Sequence, residues 1–596
     1  LAVNNPVASL FLTNHTGSSF RSLNNIKLSY DLPFIEGLSF TVNGAYDLTE
    51  GDESRMQFPT LKAMETGGED GFLQVNDDRI TDRLIESYAT YKKDLPGINS
   101  KINFVLGHSW QETEREFRWE FENFLQEADN DLGYEWSLPP KRDSSLLTNR
   151  LVSLYSRLNY TLAEKYLVTL SLRRDGSSRF GPANQWGLFP SAAVAWRILQ
   201  EDFAADWDRT FSQLKLRMSF GVTGNQEFAD YLFETFYFVG TGDARYQFGD
   251  DYVQTLRGTG VDPDIKWEET RSLNLGIDFG FFNGRLSGSL DVYEKRTDDM
   301  IFEIAAPAFT NLSDRIFTNI GSMTNRGIEL ALSAYVVDRG NFDWQLSFNA
   351  AHNRNEITKL DNNEDDAFFG YETGGINGDV GQTIQILRVG ERVNSFLTYK
   401  HRLDAAGNPL PDDDNNDDGI TNLLDVYEDL NDDGMINEDD LYVSEYADPD
   451  VIMGLTSNMS YRNWDMSFTL RANLGSYVYN NVASSTGYYQ FISEVDRVAN
   501  NPDPSAFDND FTDRQLKSDI YIENSSFLRL DNITIGYTIP SSGLLKSLRV
   551  YATAQNLLTI TGYSGLDPEL PLFNGGIDNN IYPIARTYLV GINASF

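Results

Sequence analysis

One acidic stretch holds the residues whose types and spacing are best suited to bind a ligand, and the ligand they favour is a metal ion. Residues 411–440, PDDDNNDDGITNLLDVYEDLNDDGMINEDD, carry the same spacing twice. In each copy, oxygen-bearing side chains stand at positions 1, 3, 5 and 12, and a glycine at position 6 permits a sharp turn, which is the pattern of a calcium loop. The candidate ligands are Asp414, Asn416, Asp418, Asp425 and the carbonyl of Ile420 in the first copy, and Asp429, Asn431, Asp433, Asp440 and the carbonyl of Met435 in the second.

The two copies depart from a helical calcium-binding pair at their last position. Asp425 and Asp440 stand where an EF-hand has a longer, bidentate glutamate. The copies therefore resemble dockerin-type or thrombospondin-type loops more closely, and we expect Ca²⁺ with a structural role. Carboxylates this close together repel one another unless a cation lies between them. The alternative is a solvated acidic loop without a metal.

The rest of the chain offers no arrangement suited to catalysis. It has no cysteine and only 4 histidines, which are scattered at His15, His108, His352 and His401. Neither a nucleophile elbow nor a phosphate-binding loop is present in the sequence. The formal net charge of −40 argues against nucleic-acid binding, which needs a basic surface. The sequence therefore predicts a protein that is not an enzyme and takes no organic cofactor.

The elements that must hold the acidic stretch are β-strands. No apolar run is long enough for a transmembrane helix. In SLNLGIDFG, Leu273 and Leu275 share one face of a strand, while Asn274 and Asp278 share the other. Similar alternating runs recur along the chain, roughly 16–20 of them, at the length with which a tilted strand crosses an outer membrane.

The connections between these runs differ in length as they do in an outer-membrane barrel. Tight turns are indicated at 282–284 and 462–463, and long polar loops of about 30 residues around 48–80 and about 45 residues around 403–447. Charged residues on the polar face indicate a wet or plugged interior: Lys215, Arg217, Glu329 and Arg471. The predicted fold class is all-β, a large antiparallel transmembrane β-barrel with long extracellular loops in the bacterial outer membrane. A soluble propeller is disfavoured because no fixed repeat is present.

Longer stretches carry a family resemblance. They occupy residues 171–198, 214–226, 265–301, 319–332, 524–540 and 551–569. In this order they resemble the SusC/RagA-type TonB-dependent outer-membrane transporters of Bacteroidetes. The resemblance implies a barrel of about 22 strands closed by a plug. Residues 1–596 would then be most of that barrel without its plug and first strands, and residues 403–447 an acidic extracellular loop within it.

The resemblance also implies a function and partners. It implies TonB-dependent import of oligosaccharides or other large nutrients through the outer membrane, together with a SusD-like surface lipoprotein. TonB would act through the part of the protein that precedes this chain, and the barrel exterior would contact lipid and lipopolysaccharide. Two alternatives stay open: a peptide importer of the same family, and a passive outer-membrane porin.

Overall fold

The computed structural model describes most of the chain. The described residues are 6–58, 71–125, 135–136, 141–239, 245–249, 251–254, 256–306, 311–313, 315–360, 369–413, 415, 422–490, 502–540, 545–570 and 575–595. The α-helices among them are short: α1 Pro6–Phe11, α2 Leu423–Val426, α3 Asn481–Thr486 and α4 Ser505–Asn509. In this part of the chain, no helix has both the length and the apolarity needed to span a membrane.

Within the described ranges, seventeen long strands make up the principal sheet. They are β1 Thr13–Asp31, β2 Leu38–Gln57, β3 Phe72–Leu95, β4 Ser100–Leu125, β5 Lys141–Leu162, β6 Tyr166–Ser177, β7 Trp186–Arg197, β8 Phe211–Asn225, β9 Glu268–Phe281, β10 Leu286–Ala305, β11 Arg315–Arg339, β12 Phe342–Lys359, β13 Val451–Tyr461, β14 Trp464–Leu474, β15 Phe527–Pro540, β16 Ser547–Thr561 and β17 Thr587–Ser595. This number lies within the range that the alternating runs predict, and the all-β fold class is confirmed.

Shorter elements lie between the long strands. The short strands are Glu135–Trp136, Tyr237–Val239, Arg245–Phe248, Asp251–Gln254, Leu256–Gly258, Tyr371–Gly375, Thr383–Leu387, Ser395–Thr398, Tyr442–Tyr446, Tyr477–Tyr479 and Ile522–Asn524. Single 3₁₀ turns are formed by Pro96–Ile98, Ile198–Gln200, Asp202–Ala204, Trp207–Arg209, Glu438–Asp440 and Asp519–Tyr521. Four of the short strands, from Tyr371–Gly375 to Tyr442–Tyr446, pair into a small separate sheet.

The principal sheet is an antiparallel meander. Each strand pairs with the next one along the chain, from β1 with β2 to β16 with β17. The registers are long and regular; β2 and β3, for example, pair from Leu38 opposite Tyr91 to Gln57 opposite Phe72. Because consecutive strands are neighbours, the connections fall alternately at two ends of the sheet.

The two ends differ as expected for a barrel that crosses a membrane. At one end the turns are tight, as at 282–285, 340–341 and 462–463. At the other end, the connections between β12 and β13, β14 and β15, and β16 and β17 span 360–450, 475–526 and 562–586. The predicted tight turns are therefore confirmed, and residues 403–447 lie within the connection 360–450, which is longer than the predicted loop of about 45 residues.

The long loop predicted around 48–80 is wrong. Most of this segment belongs to β2 and β3, which continue pairing until Gln57 meets Phe72, so that the connection is only 58–71. The error has a physical reason. The outer halves of both strands carry polar residues on both faces, so the alternation that marks a strand is lost there, while main-chain hydrogen bonds between the strands persist.

One face of the sheet is apolar and exposed. Leu275 and Met218, which are opposite each other in neighbouring strands, are 51% and 50% exposed. The other face holds partnered charges: Arg217 donates to Asp278 and Asp291 at 2.8 and 3.0 Å. This arrangement is the reverse of a soluble sheet protein, in which the apolar face is buried, and it agrees with the predicted membrane barrel.

Candidate functional site

The three longest connections after β12 fold together into one body, which we call the loop layer: the described residues of 360–450, 475–526 and 562–586. Its core is fully apolar and aromatic, with Ile384, Phe396, Tyr479 and Phe511 each 0% exposed. Ile577, from the last connection, packs in the same core. Buried contacts among all three connections fix their positions relative to one another. Any ligand reaching the sheet from this end must therefore pass a structured surface.

The loop layer is fixed to the charged face of the sheet by two arginines. Arg529 of β15 donates to Asp567 at 2.7 Å and to Glu569 at 2.9 Å, and its side chain is 3% exposed. Arg471 of β14 pairs with Glu569 and, at 2.9 Å, with Asp531. Because Asp567, Glu569 and the guanidinium of Arg529 are largely removed from water, each of these groups depends on its partners. The segment around Asp567 is thus held against the charged face of the sheet.

The second acidic copy is described completely and forms a tight turn. Asp440 is 0% exposed; its Oδ1 accepts from the amide of Leu430 at 2.8 Å and its Oδ2 from that of Asn437 at 2.9 Å. These main-chain donors, led by Asn437, lower the pKa of Asp440 below its usual value. Gly434 has φ +82°, the left-handed conformation that the predicted glycine position requires.

The remaining side chains of the second copy turn towards its own amides. Asp429 Oδ2 accepts from Gly434 at 2.8 Å, Asn431 Oδ1 from Asp433 at 3.0 Å, and Asp433 Oδ1 from Met435 at 2.9 Å. Among the described residues, no three acidic or histidine side chains are close enough to hold a metal ion. The donor set is that of a calcium loop, but calcium itself stays a prediction.

The first copy repeats this arrangement where it is described. Asp425 is 0% exposed and accepts from the amides of Asn415 and Asn422 at 3.1 and 2.9 Å, at the same spacing as in the second copy. Asp414, Asn416, Asp418 and Ile420 lie outside the described residues. One feature shared by the two copies was not predicted: the asparagine at position 9, Asn422 or Asn437, forms a reciprocal capping box with the aspartate at position 12. The Asn-x-x-Asp spacing in both copies could have indicated this capping box.

His15, His352 and His401 have structural contacts. His401 is 3% exposed; its Nε2 lies 3.0 Å from the carbonyl of Leu410 and its Nδ1 3.0 Å from the hydroxyl of Ser518. It therefore joins the acidic connection to the next one, and burial lowers its pKa. His352 Nδ1 contacts the carbonyl of Asp450 at 2.7 Å, and His15 pairs with Glu53 on the first hairpin.

The charged face of the sheet carries further networks. Glu112, with 8% of its side chain exposed, lies between Arg83 and Arg150 at 2.5 and 2.6 Å. The sequence identified Arg217 and Arg471 as members of this face, and the structure supplies their carboxylate partners, which come from neighbouring strands. The face is therefore polar without leaving these charges unpaired.

Comparison with known proteins agrees with this architecture. The family model described as "TonB dependent receptor-like, beta-barrel" matches residues 3–557. TonB-dependent receptor SusC of Bacteroides thetaiotaomicron is 34% identical over 99% of this chain, and TonB-dependent receptor P3 of Formosa agariphila is 30% identical over 94%. The chain spans 57% of the length of each of these relatives.

Solved structures show the same fold. The structure of the RagAB peptide transporter matches with a TM-score of 0.77 at 23% identity, over 98% of this chain and 63% of that one. The RagAB peptide importer in the "open-open" state matches with a TM-score of 0.76 at 22% identity, over 98% of this chain and 62% of that one. The chain therefore belongs to the TonB-dependent receptor-like β-barrel family of the bacterial outer membrane.

Proposed function

We propose that this chain is the barrel portion of a TonB-dependent transporter that imports oligosaccharides or other large nutrients together with a SusD-like surface lipoprotein. The observation that carries the proposal is the pairing of an exposed apolar face with an ion-paired polar face, under a folded loop layer. It is supported by 34% identity to SusC along 99% of the chain.

The arrangement suits the passage of a hydrated solute. Leu275 and its neighbours would meet lipid and lipopolysaccharide, while the Arg217–Asp278–Asp291 network would line a wet interior. The loop layer would form the extracellular surface on which cargo and the lipoprotein settle. Energy would come from the inner membrane through TonB, which would act on the part of the protein preceding this chain.

The two alternatives differ from this proposal in measurable ways. A peptide importer would share its geometry and differ in cargo; the likeness to RagAB is a likeness of fold and does not choose between them. A passive porin would need neither TonB nor a lipoprotein. We also propose that the protein has no enzymatic activity, because its known relatives are receptors.

Uptake by cells tests the import function directly. We would delete the gene in its host and measure uptake of fluorescent oligosaccharides and peptides, with a monosaccharide as the control that general porins admit. Loss of oligosaccharide uptake, loss of the same uptake on dissipating the proton gradient, and co-purification of a surface lipoprotein are the expected results. Uptake that persists without the proton gradient would favour the porin instead.

Calcium is a separate proposal for the acidic connection. Weak binding, in the range of about 10⁻⁴–10⁻³ M found in extracellular modules, is expected at the second copy. Calorimetric titration of the folded protein with CaCl₂ should release or absorb heat that Asp429→Asn together with Asp433→Asn removes. An Asp379→Asn/Asp513→Asn protein, with the same charge change elsewhere in the loop layer, is the matched control. An unchanged titration in the first variant would remove calcium from the second copy.

A further inference from the structure

The connection between β7 and β8 is longer than a chain reversal at this end of the sheet requires. It spans 198–210 and consists largely of three 3₁₀ turns. It lies beside the tight turn at 282–285, because the amide of Phe282 donates to the carbonyl of Thr210 at 3.3 Å. Two residues are enough to join neighbouring antiparallel strands, as they do at 340–341 and 462–463. The additional residues of 198–210 are therefore available for another role.

A row of aromatic rings runs from the end of β7 across this connection to β8 and β9. The ring centroids of Trp196 and Phe203 lie 6.2 Å apart, and those of Phe203 and Trp207 lie 5.8 Å apart. The row continues at 6.4 Å from Trp207 to Phe211 and at 4.8 Å from Phe211 to Phe281. We call these five residues the aromatic row. Because each ring packs against the next, the two rings of the connection are held in place relative to the strands.

Both ends of the aromatic row lie on the apolar face of the sheet. Side chains alternate between the two faces along a strand, so Phe281 shares the face of Leu275 in β9. Trp196 is opposite Leu216 of β8, and Leu216 is in turn opposite Ile277 on that same face. The connection packs between these two ends. Its rings therefore extend the apolar face beyond the ends of the strands.

The rings of the connection are exposed although they belong to a packed row. Phe203 is 61% exposed and Trp207 is 42% exposed, and Phe282 of the neighbouring turn is 64% exposed. Ala204, in contrast, is 1% exposed, so one side of the connection packs on the protein while its aromatic side is open. An open apolar patch that continues the lipid-facing side of a membrane barrel points to the same membrane as its partner.

The polar groups next to the row suit the boundary between hydrocarbon and water. Glu201 accepts from the hydroxyl of Tyr166 at 2.6 Å and from Lys165 Nζ at 2.9 Å. It also accepts from Trp196 Nε1 at 3.0 Å, so the polar tip of this indole has a protein partner. Tryptophan and tyrosine side chains with an apolar body and a partnered polar tip are typical of membrane–water interfaces.

The exposed charges of the connection indicate which lipid headgroups it can meet. Asp202, Asp206 and Asp208 are exposed, and the single cationic residue of 198–210, Arg209, lies 3.9 Å from Asp206. An excess of carboxylates repels anionic headgroups, whereas the ammonium groups of zwitterionic headgroups can lie next to carboxylates. Membrane binding by this connection must therefore come from its aromatic side chains and not from attraction to anionic lipid.

We propose that the connection 198–210 is an interfacial segment that inserts Phe203 and Trp207 among the headgroups of a zwitterionic phospholipid leaflet at the tight-turn end of the barrel. Asp206 and Asp208 then lie at the aqueous edge of these headgroups. Amphipathic segments bury their apolar side about 5–10 Å into the boundary between headgroups and acyl chains. The segment fixes the height at which β7 and β8 end in the membrane. This role rests on the outer-membrane family of the chain and is independent of the proposed import function.

Spin labels on the full-length protein test the position of the segment. The chain has no cysteine, so Phe203→Cys, Asp206→Cys, Trp207→Cys and Asp208→Cys can be labelled one at a time in phosphatidylcholine nanodiscs. We expect collisions with oxygen to dominate at 203 and 207, and collisions with a water-soluble nickel complex to dominate at 206 and 208. Nickel-dominated collisions at all four positions would place the segment in water and overturn the proposal. Low accessibility to both reagents at 203 and 207 would also overturn it, because a protein would then cover these positions.

Quenching of the native tryptophan tests insertion without a label. In nanodiscs that contain phospholipid brominated on its acyl chains, Trp207→Phe should lower the fraction of tryptophan fluorescence that is quenched. The matched control is Trp119→Phe, which removes a half-buried tryptophan from β4 at the other end of the sheet and should not lower that fraction. Equal effects of the two variants would overturn the insertion of Trp207.

Adding phosphatidylglycerol to the same nanodiscs tests the charge of the leaflet. The quenching assigned to Trp207, as the difference between the wild type and Trp207→Phe, should be no greater with this anionic lipid than without it. Greater quenching in the anionic leaflet that is lost at high salt would overturn the zwitterionic assignment.

Discussion

The arginine that fixes the loop layer to the sheet gives the sharpest prediction. In an Arg529→Met protein, a side chain of similar length but no charge replaces one that is 3% exposed and donates to Asp567, Glu569 and Thr559 at 2.7, 2.9 and 3.1 Å. Glu569 keeps Arg471, but Asp567 is left buried without a cation. Removing one partner of a buried ion pair costs about 3–5 kcal/mol.

That cost should be concentrated where the loop layer meets the sheet. Hydrogen exchange followed by mass spectrometry should show the amides of 562–570 exchanging at least about 100-fold faster, because about 3 kcal/mol changes a local opening equilibrium by that factor. Adding Asp567→Asn to Arg529→Met should restore part of the protection, since the stranded group then carries no charge. Exchange at the wild-type rate in the single variant would show that Arg529 does not hold the 562–570 segment against the sheet.

Arg549→Met is a control that separates the effect of breaking a buried ion pair from the effect of losing any arginine on this face. Arg549 donates to Asp465 on the same face, at 2.9 Å, but these side chains are 28% and 38% exposed. Arg549→Met should therefore cost no more than about 1 kcal/mol in denaturant unfolding. An equal loss in the two arginine variants would show that burial is not what makes Arg529 important.

Three further predictions concern Asp440, His401 and Leu275. Asp440→Asn should speed amide exchange at Leu430 and Asn437, because one carboxylate now accepts from both, whereas the exposed Asp439→Asn should leave those amides unchanged. Because the pKa of His401 is lowered in the folded loop layer, the unfolded state binds a proton at this histidine more readily, and the stability of the loop layer should fall as pH drops below the ordinary histidine pKa of about 6.5. In a His401→Gln protein, the melting temperature should no longer depend on pH in this range. If the pH dependence persists in that variant, another titrating group causes it. Leu275→Arg should destabilise the barrel in a bilayer by up to about 2–4 kcal/mol, the cost of an arginine on the lipid face near the bilayer midplane. Denaturant unfolding measures this loss, with Asn274→Arg on the opposite face as the control. An equal loss of stability at both positions would contradict the assignment of the two faces.

Much of the fold could be predicted because strand alternation is a local property. Leu273, Asn274 and Leu275 reveal their faces without knowledge of their neighbours, and the tight turns are marked by short polar pairs between alternating runs. The outer part of the β2–β3 hairpin could not be predicted, because its pairing depends on hydrogen bonds between strands and not on side-chain polarity.

In the candidate sites, too, features encoded by local sequence could be predicted, and contacts between distant segments could not. The spacing of Asp429 to Asp440 predicted a sharp acidic turn at the glycine, and the structure has that turn, with Gly434 in the left-handed conformation. The anchor formed by Arg529 with Asp567, and the contact of His401 with Ser518, join residues that are far apart in the chain. Their partners are set by the meeting of separate connections, which no local spacing encodes. The sequence also placed Arg217, Arg471 and Asp278 on the polar face, but it did not show that Arg217 pairs with Asp278 or that Arg471 pairs with Asp531.

In a bilayer, the apolar face of the sheet should contact lipid and the charged face should contact water. Because the chain contains no cysteine, single cysteines can be introduced from Leu273 to Asp278 and spin-labelled in a lipid bilayer. We expect collisions with oxygen to dominate at Leu273, Leu275 and Ile277, and collisions with a water-soluble nickel complex to dominate at Asn274 and Asp278. The opposite assignment, or accessibility that does not alternate along the strand, would contradict it.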